Sequence, residues 1–152
     1  MGSEVAGRER SRDPETPPGQ SRKREMTFLL DTSVLIDTLR LRHGRKELLA
    51  QLVRDGHHLT TTVINVAEVY SGIRAAGEQR TVSFLDSLEC YGLDASAAEH
   101  AGRLRNLWAK KDKTIALTDI IVAAIAIERG CTLMTDNRKD FPMQELSLYP
   151  LP

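Results

Sequence analysis

Four stretches of this 152-residue chain put acidic side chains where an unpaired charge is costly. Asp31 ends the apolar run Phe28-Leu29-Leu30 and leads into TSVLID. Glu68 lies in VINVAEVYSGI, with Ile64, Val66, Ala67 and Val69 around it. Asp119 stands near the start of a nearly all-apolar stretch, IALTDIIVAAIAIERG. LMTDNRKDFP brings Thr135, Asp136, Asn137 and Asp140 after a fourth apolar run. Oxygen donors of this kind suit hard divalent cations such as Mg2+ and Mn2+.

Each position also has a plainer explanation. Asp31 is either a helix N-cap or a metal ligand, and Thr32 or Ser33 could take the capping role instead. Glu68 is either on a solvent stripe or aimed into a polar pocket. Asn65, three residues earlier, shares its side of a helix and could be its hydrogen-bonded support. Asp119 is either favoured by a helix dipole or facing a cleft, with Thr118 a competent cap. The fourth stretch alone reads as a polar turn leaving a strand. Asp37 lies about a turn and a half beyond Asp31 and is expected to point elsewhere.

The elements that position these residues alternate. TFLL (27–30) reads as a buried strand, followed by a short helix from Thr32 to about Arg40. Leu48, Leu49, Leu52 and Val53 share a face of a helix over Gly44 to Asp55, which Gly56 ends. HLTTT is a second strand. Val63 to Arg74 is helical, with Thr61 or Thr62 as N-cap. A helix over about Glu78 to Glu89 follows, and then a long one from Ser96 to about Lys111. The apolar helix starts at Thr118 or Asp119 and stops at Gly130. CTLMT (131–135) and LSLYPL are strands. Alternation of strands and helices implies an α/β fold with a parallel sheet, whose ligands bind beyond the carboxyl ends of the strands. Asp31 and the Asp136–Asp140 stretch fall at such ends.

Residues 1–25 hold three of the six prolines, many charges and little that is apolar. Such a segment cannot offset its ordering entropy, so a disordered extension is expected before a folded domain over 26–152. Arg22, Lys23 and Arg24 form a small basic cluster within it. Basic and acidic residues balance at 21 each, which does not announce a nucleic-acid binder but leaves room for a local patch. Cys90 and Cys131 match no zinc spacing and make no disulfide framework. No apolar stretch is long enough to span a bilayer, and the N-terminus lacks the apolar core of a secretory signal, so cytoplasmic residence is expected.

The motifs DTSVLID after an apolar run, NVAEVYSG, ALTDIIVAAIA and LMTDNRKDF occur in that order over residues 26–152. In this the chain resembles the PIN-domain family, and more narrowly the VapC-type toxins of type II toxin–antitoxin pairs. The resemblance implies a three-layer α/β/α sandwich with a central parallel sheet. It implies a Mg2+-dependent endoribonuclease, with Mn2+ as a substitute, that cleaves RNA to a 3′-hydroxyl and a 5′-phosphate. It also implies a homodimer and a cognate antitoxin protein. Asp31, Glu68 and Asp119 would be the catalytic, metal-holding acids. Thr32, Ser33, Asn65, Thr135, Asp136, Asn137 and Asp140 would support them. The usual fourth-acid position holds Asn137, which brings no charge; this departure bears on a tightly held second metal more than on activity. Asp140 is the better substitute.

No histidine is needed for this chemistry, and His43, His57, His58 and His100 match no family acid. Substrate phosphates call for cations outside the acidic pocket. Arg40, Arg42 and Lys46 are the candidates nearest the Asp31 helix, with Arg45 in the same run; Arg103, Arg105, Lys110, Lys111 and Lys113 read more simply as a solvated face. Trp108 is expected in the core or a dimer interface. Three other readings compete: a dehalogenase-like phosphotransferase, against which Ser33 stands where a second Asp is required; a catalytically weak PIN module that binds RNA or a protein partner; and an α/β interaction domain whose acids are only caps.

Overall fold

Four apolar stretches, too short for helices and rich in Thr, Leu and Met, form the inner strands and flank of one sheet. In the computed structural model, which describes residues 24–152, the strands are β1 (Thr27–Leu30), β2 (His58–Thr62), β3 (Glu89–Tyr91), β4 (Thr132–Met134) and β5 (Ser147–Leu148). All neighbouring strands run parallel, in the order β3-β2-β1-β4-β5. The helices are α1 (Thr32–Leu39), α2 (Arg45–Arg54), α3 (Val63–Ser71), α4 (Glu78–Asp86), α5 (Ala95–Ala109) and α6 (Leu117–Arg129). Short 3-10 turns cover Ala75–Gly77 and Arg138–Asp140.

The two-residue period of the strands divides the core into two layers. On one face Leu29 of β1 and Leu133 of β4 pack with α5 and α6, through Ala101, Leu104, Ile120 and Ala124. On the other face Phe28, Leu30 and Met134 pack with Val34 and Leu35 of α1, Leu49 of α2, Val69 of α3 and Leu85 of α4. The result is the expected α/β/α sandwich. Helix α6 is buried nearly all round, which its unbroken apolar run requires. It stops at Gly130, whose φ of 67° is left-handed and disfavoured for residues with a Cβ. Among the described residues no helix is long and apolar enough to cross a membrane.

The chain order creates a switch point. From β1 the chain builds outward through β2 to β3, then returns to place β4 on the other side of β1. Adjacent connections leave the carboxyl ends of β1 and β4 in opposite directions, and a crevice opens between them.

Four expectations need correction, the first being that the helix expected to run to Arg74 ends at Ser71. The helix expected to reach Glu89 ends at Asp86, and Glu89–Tyr91 is instead an edge strand on β2. Three largely exposed residues carry too little alternation to show as a strand, and pairing with Thr60–Thr62 decides it. Helix α6 begins at Leu117, with Ala116 in the cap position, not at Thr118 or Asp119. Neither Thr32 nor Ser33 caps α1: both lie inside it, and Asp31 holds the cap position. The extension and its basic cluster lie outside the described residues apart from Arg24 and Glu25. Cys131 is buried, as a small hydrophobe should be, and Trp108 is half-buried against the α5–α6 core with Lys111 over its ring.

Candidate active site

Asp31 leaves the end of β1 in the switch-point crevice. Its amide donates to the Met134 carbonyl of β4, and its own carbonyl accepts from Val34 and Leu35 to start α1. The side chain makes no capping hydrogen bond. Instead Oδ2 accepts from Thr135 Oγ1 at 2.7 Å and Oδ1 from Asn65 Nδ2 at 3.0 Å. Asp31 is 6% exposed. Burial pushes its carboxyl above the usual carboxylate range and the charge of Glu68 adds to this, while the Thr135 hydroxyl, the Thr32 amide and Asn65 pull against it.

Asn65 is fully buried and has no freedom to turn. The Thr62 hydroxyl donates to Asn65 Oδ1 at 2.7 Å and accepts the Ile64 and Asn65 amides at 3.2 Å, so Thr62, not Thr61, caps α3. The Asn65 amide nitrogen therefore points to Asp31 and also to Thr32 Oγ1, at 3.0 Å each. Thr32 in turn donates to Glu68 Oε1. Glu68 is exposed, yet hooked to the buried pair through Thr32. Thr61 spends its hydroxyl on the Leu30 carbonyl at 3.1 Å, beside Asp31.

Asp119 sits in the first turn of α6, half-buried. Its carboxyl is pushed up to about 6 by burial and then by the charges of Asp31, Asp140 and Glu68. Four acids from α6, the β1 end, α3 and the turn after β4 thus share one field.

The stretch after β4 divides its labour. Buried Thr135 donates to Asp31 and accepts the Asn137 amide at 3.0 Å. The Asp136 amide donates to Ser33 Oγ at 3.2 Å, but its carboxylate turns away to Arg45 Nη2 at 2.8 Å. Asn137 is exposed at the head of the 3-10 turn, and Asp140 is half-buried at its end, within the field of Asp119. Asp37 pairs with His43 at 3.0 Å, away from this group.

Arg45 corrects the reading of the basic run. It is 3% exposed, holds Asp136, and donates to the His43 and Pro152 carbonyls, so it is not a free phosphate contact. No pattern in the sequence separates it from its exposed neighbours Arg40, Arg42 and Lys46. Arg103 pairs with Glu99, Arg105 donates to the Ile115 carbonyl and Lys113 to that of Lys139.

Among the described residues no three His, Cys, Asp or Glu side chains are gathered tightly enough to hold a metal ion by themselves. The donors nonetheless fit Mg2+, which takes oxygen ligands and characteristically uses one or two carboxylates, with waters and substrate phosphate oxygens completing the shell. Asp31 and Asp119 offer such carboxylates, and the field that lifts Asp119 is one a divalent cation would relieve.

Comparison with known proteins gives one consistent result. The family model described as PIN domain matches residues 28–143. Ribonuclease VapC19 of Mycobacterium tuberculosis is 27% identical over 115 residues, covering 76% of this chain and 92% of that protein. Ribonuclease VapC10 of the same organism is 30% identical over 118 residues, covering 78% and 88%. Among solved structures, VapBC2 from Rickettsia felis bound to a DNA fragment from their promoter superposes with a TM-score of 0.72 at 24% identity, over 82% of this chain and 98% of that one.

Proposed function

The chain belongs to the PIN-domain family, and from that premise we propose that residues 26–152 form a Mg2+-dependent endoribonuclease, the toxin of a toxin–antitoxin pair. Relatives of the chain are named ribonucleases, and one of the solved structures it resembles is described as a toxin–antitoxin complex from Klebsiella pneumoniae. Metal dependence goes with the family; the all-oxygen donor set supports Mg2+, with Mn2+ as substitute. A cognate antitoxin, a homodimer and a cytoplasmic site of action belong to the same reading.

The observation that carries it is the treatment of Asp31. A carboxylate in a helix-cap position is withheld from capping, buried, and fixed on both oxygens by Thr135 and Asn65. Asp31, Asp119 and Glu68 would hold the ion, with Asp140 and Asn137 at its border. The chemistry a bound cation would supply is charge neutralisation at a phosphodiester oxygen and a lowered pKa for the attacking water. The protein's part is orientation. Thr135 and Asn65 set the Asp31 carboxylate before substrate arrives, and Thr32 restrains Glu68. Ser33 holds the Asp136 amide, keeping the turn that carries Asn137 and Asp140 against α1. Arg40, Arg42 and Lys46 are exposed, and this reading assigns them to substrate phosphates.

One observation favours a second reading, a catalytically weak PIN module that binds RNA or a protein: exposed Asn137 stands where a fourth acid is usual. RNA cleavage separates the two. Wild type with Mg2+ should cleave single-stranded RNA, and EDTA or Asp119→Asn should stop it. No cleavage by folded wild type in Mg2+ or Mn2+ would refute the nuclease reading.

A further inference from the structure

A half-open groove of about 540 Å³ runs away from Glu68 between α1, α3 and α4. Arg40 and Arg42, beyond the end of α1, line one side; Arg74, after α3, and Arg80, on α4, line the other. All four side chains are exposed and enter no ion pair with a described residue. Among the described residues that line it, Glu68 is the only acid. In a chain whose net charge is zero, four cations bordering one groove repel one another without a local counter-charge.

The turn bearing Arg40 and Arg42 is held in place. Leu41 and His43 both take a φ of 56°, a left-handed conformation that costs free energy for residues with a Cβ. His43 is tied to Asp37, and the buried Arg45 guanidinium donates to the His43 carbonyl. Strain maintained in this way fixes where the two arginines stand. Apolar side chains, among them Ile36, Leu39 and Val69, line the groove with the arginines.

We propose that this groove binds the single-stranded RNA flanking the scissile phosphate, with Arg40, Arg42, Arg74 and Arg80 on successive phosphates and bases against the apolar side chains. Guanidinium groups suit phosphate oxygens bidentately, and unpaired bases pack on apolar or guanidinium surfaces. The proposal rests on the nuclease reading through Glu68, which belongs to both the groove and the acid cluster. Arg74 and Arg80 line the groove from α3's end and α4 and make no hydrogen bond or ion pair with the acid network.

The test is binding of a fluorescein-labelled, mixed-sequence single-stranded RNA in EDTA, by anisotropy across a salt series, for wild type, the double variant Arg74→Gln/Arg80→Gln, and Arg54→Gln on the exposed face of α2 as control. The four groove arginines contribute about −2.8 to the slope of log affinity against log salt, and loss of two removes about half of that contribution. The control should match wild type. In Mg2+ the double variant should raise KM with kcat kept. Unchanged affinity and slope in the double variant, or an equal loss in the control, would overturn the proposal; the first would leave the arginines to an acidic protein partner. The two readings fail separately. RNA bound with the full slope but never cleaved in Mg2+ sinks the nuclease assignment alone. Cleavage with a slope indifferent to Arg74 and Arg80 sinks the groove alone.

Discussion

Among the described residues two helices start with an aspartate in the cap position, and the two aspartates do different things. Asp94, before α5, accepts the Ala97 amide at 2.8 Å, an ordinary N-cap. Asp31, before α1, makes no such bond and gives both oxygens to Thr135 and Asn65. The backbones are alike, with φ, ψ of −94°, 176° at Asp94 and −73°, 164° at Asp31. Local conformation therefore does not decide the role. What differs is the neighbourhood: Asp31 sits at the crevice between β1 and β4, where a threonine and an asparagine compete for its oxygens. A cap forgone at a typical value of about 1 kcal/mol marks the residue that the fold reserves for something else.

The contrast breaks first at Asp31 itself. On the proposed reading, Asp31→Asn should lower Mg2+-dependent cleavage by at least about 100-fold, since even partners one bond removed from a metal commonly cost about 10–100-fold. Retained cleavage would return Asp31 to a structural role. Next come the groups that hold it. Asn65→Ala and Thr135→Val should each weaken Mg2+ affinity by about 10–100-fold in a calorimetric titration, with the larger stability loss for Asn65, whose removal strands Thr62 as well.

A pH series gives the third, smaller effect. Asp119, pushed up to about 6, must lose its proton to take a cation, so Mg2+ affinity should fall up to about tenfold per pH unit below that value. The sign for metal-free stability is opposite. The folded state binds this proton more tightly than the unfolded state, so the contribution of Asp119 is fully present below about 3.8 and is lost as pH rises through about 6. Asp119→Asn should flatten that part of a pH–melting profile measured in EDTA. The smallest effect belongs to the ordinary cap. Asp94→Ala should cost about 1 kcal/mol in denaturant unfolding and leave cleavage unchanged.

The same contrast explains what could be read in advance. Strands β1, β2 and β4 are dense apolar or threonine runs bounded by turns, and burial on both faces leaves them no other state. Asp31, Glu68 and Asp119 stood out because each interrupts or ends such a run. Edge strand β3 did not, because Glu89-Cys90-Tyr91 is short and largely exposed and exists through its pairing with β2. Arg45 and Asp136 were hidden for a related reason. Their pairing spans 91 residues, and an arginine at a helix start looks solvated until the tertiary fold covers it. At α3 the expected Thr62 cap is present, and the assignment at α1 failed most instructively. Thr32 and Ser33 were competent caps by type, yet their hydroxyls go to Glu68 and to the Asp136 amide, which no local rule foresees.

The measurement that bears most directly on Asp31 is thermal unfolding of wild type and Asp31→Asn, each with and without Mg2+. A ligand that binds only the folded state adds about 2.7 kcal/mol at 100 times its Kd. Wild type should gain stability with Mg2+. Asp31→Asn loses a buried charge but turns an amide donor toward the Thr135 or Asn65 donor; whatever its stability in EDTA, it should gain nothing from Mg2+. A variant that is destabilised in EDTA and still stabilised by Mg2+ as wild type is would make Asp31 a structural residue and contradict its assignment to the metal.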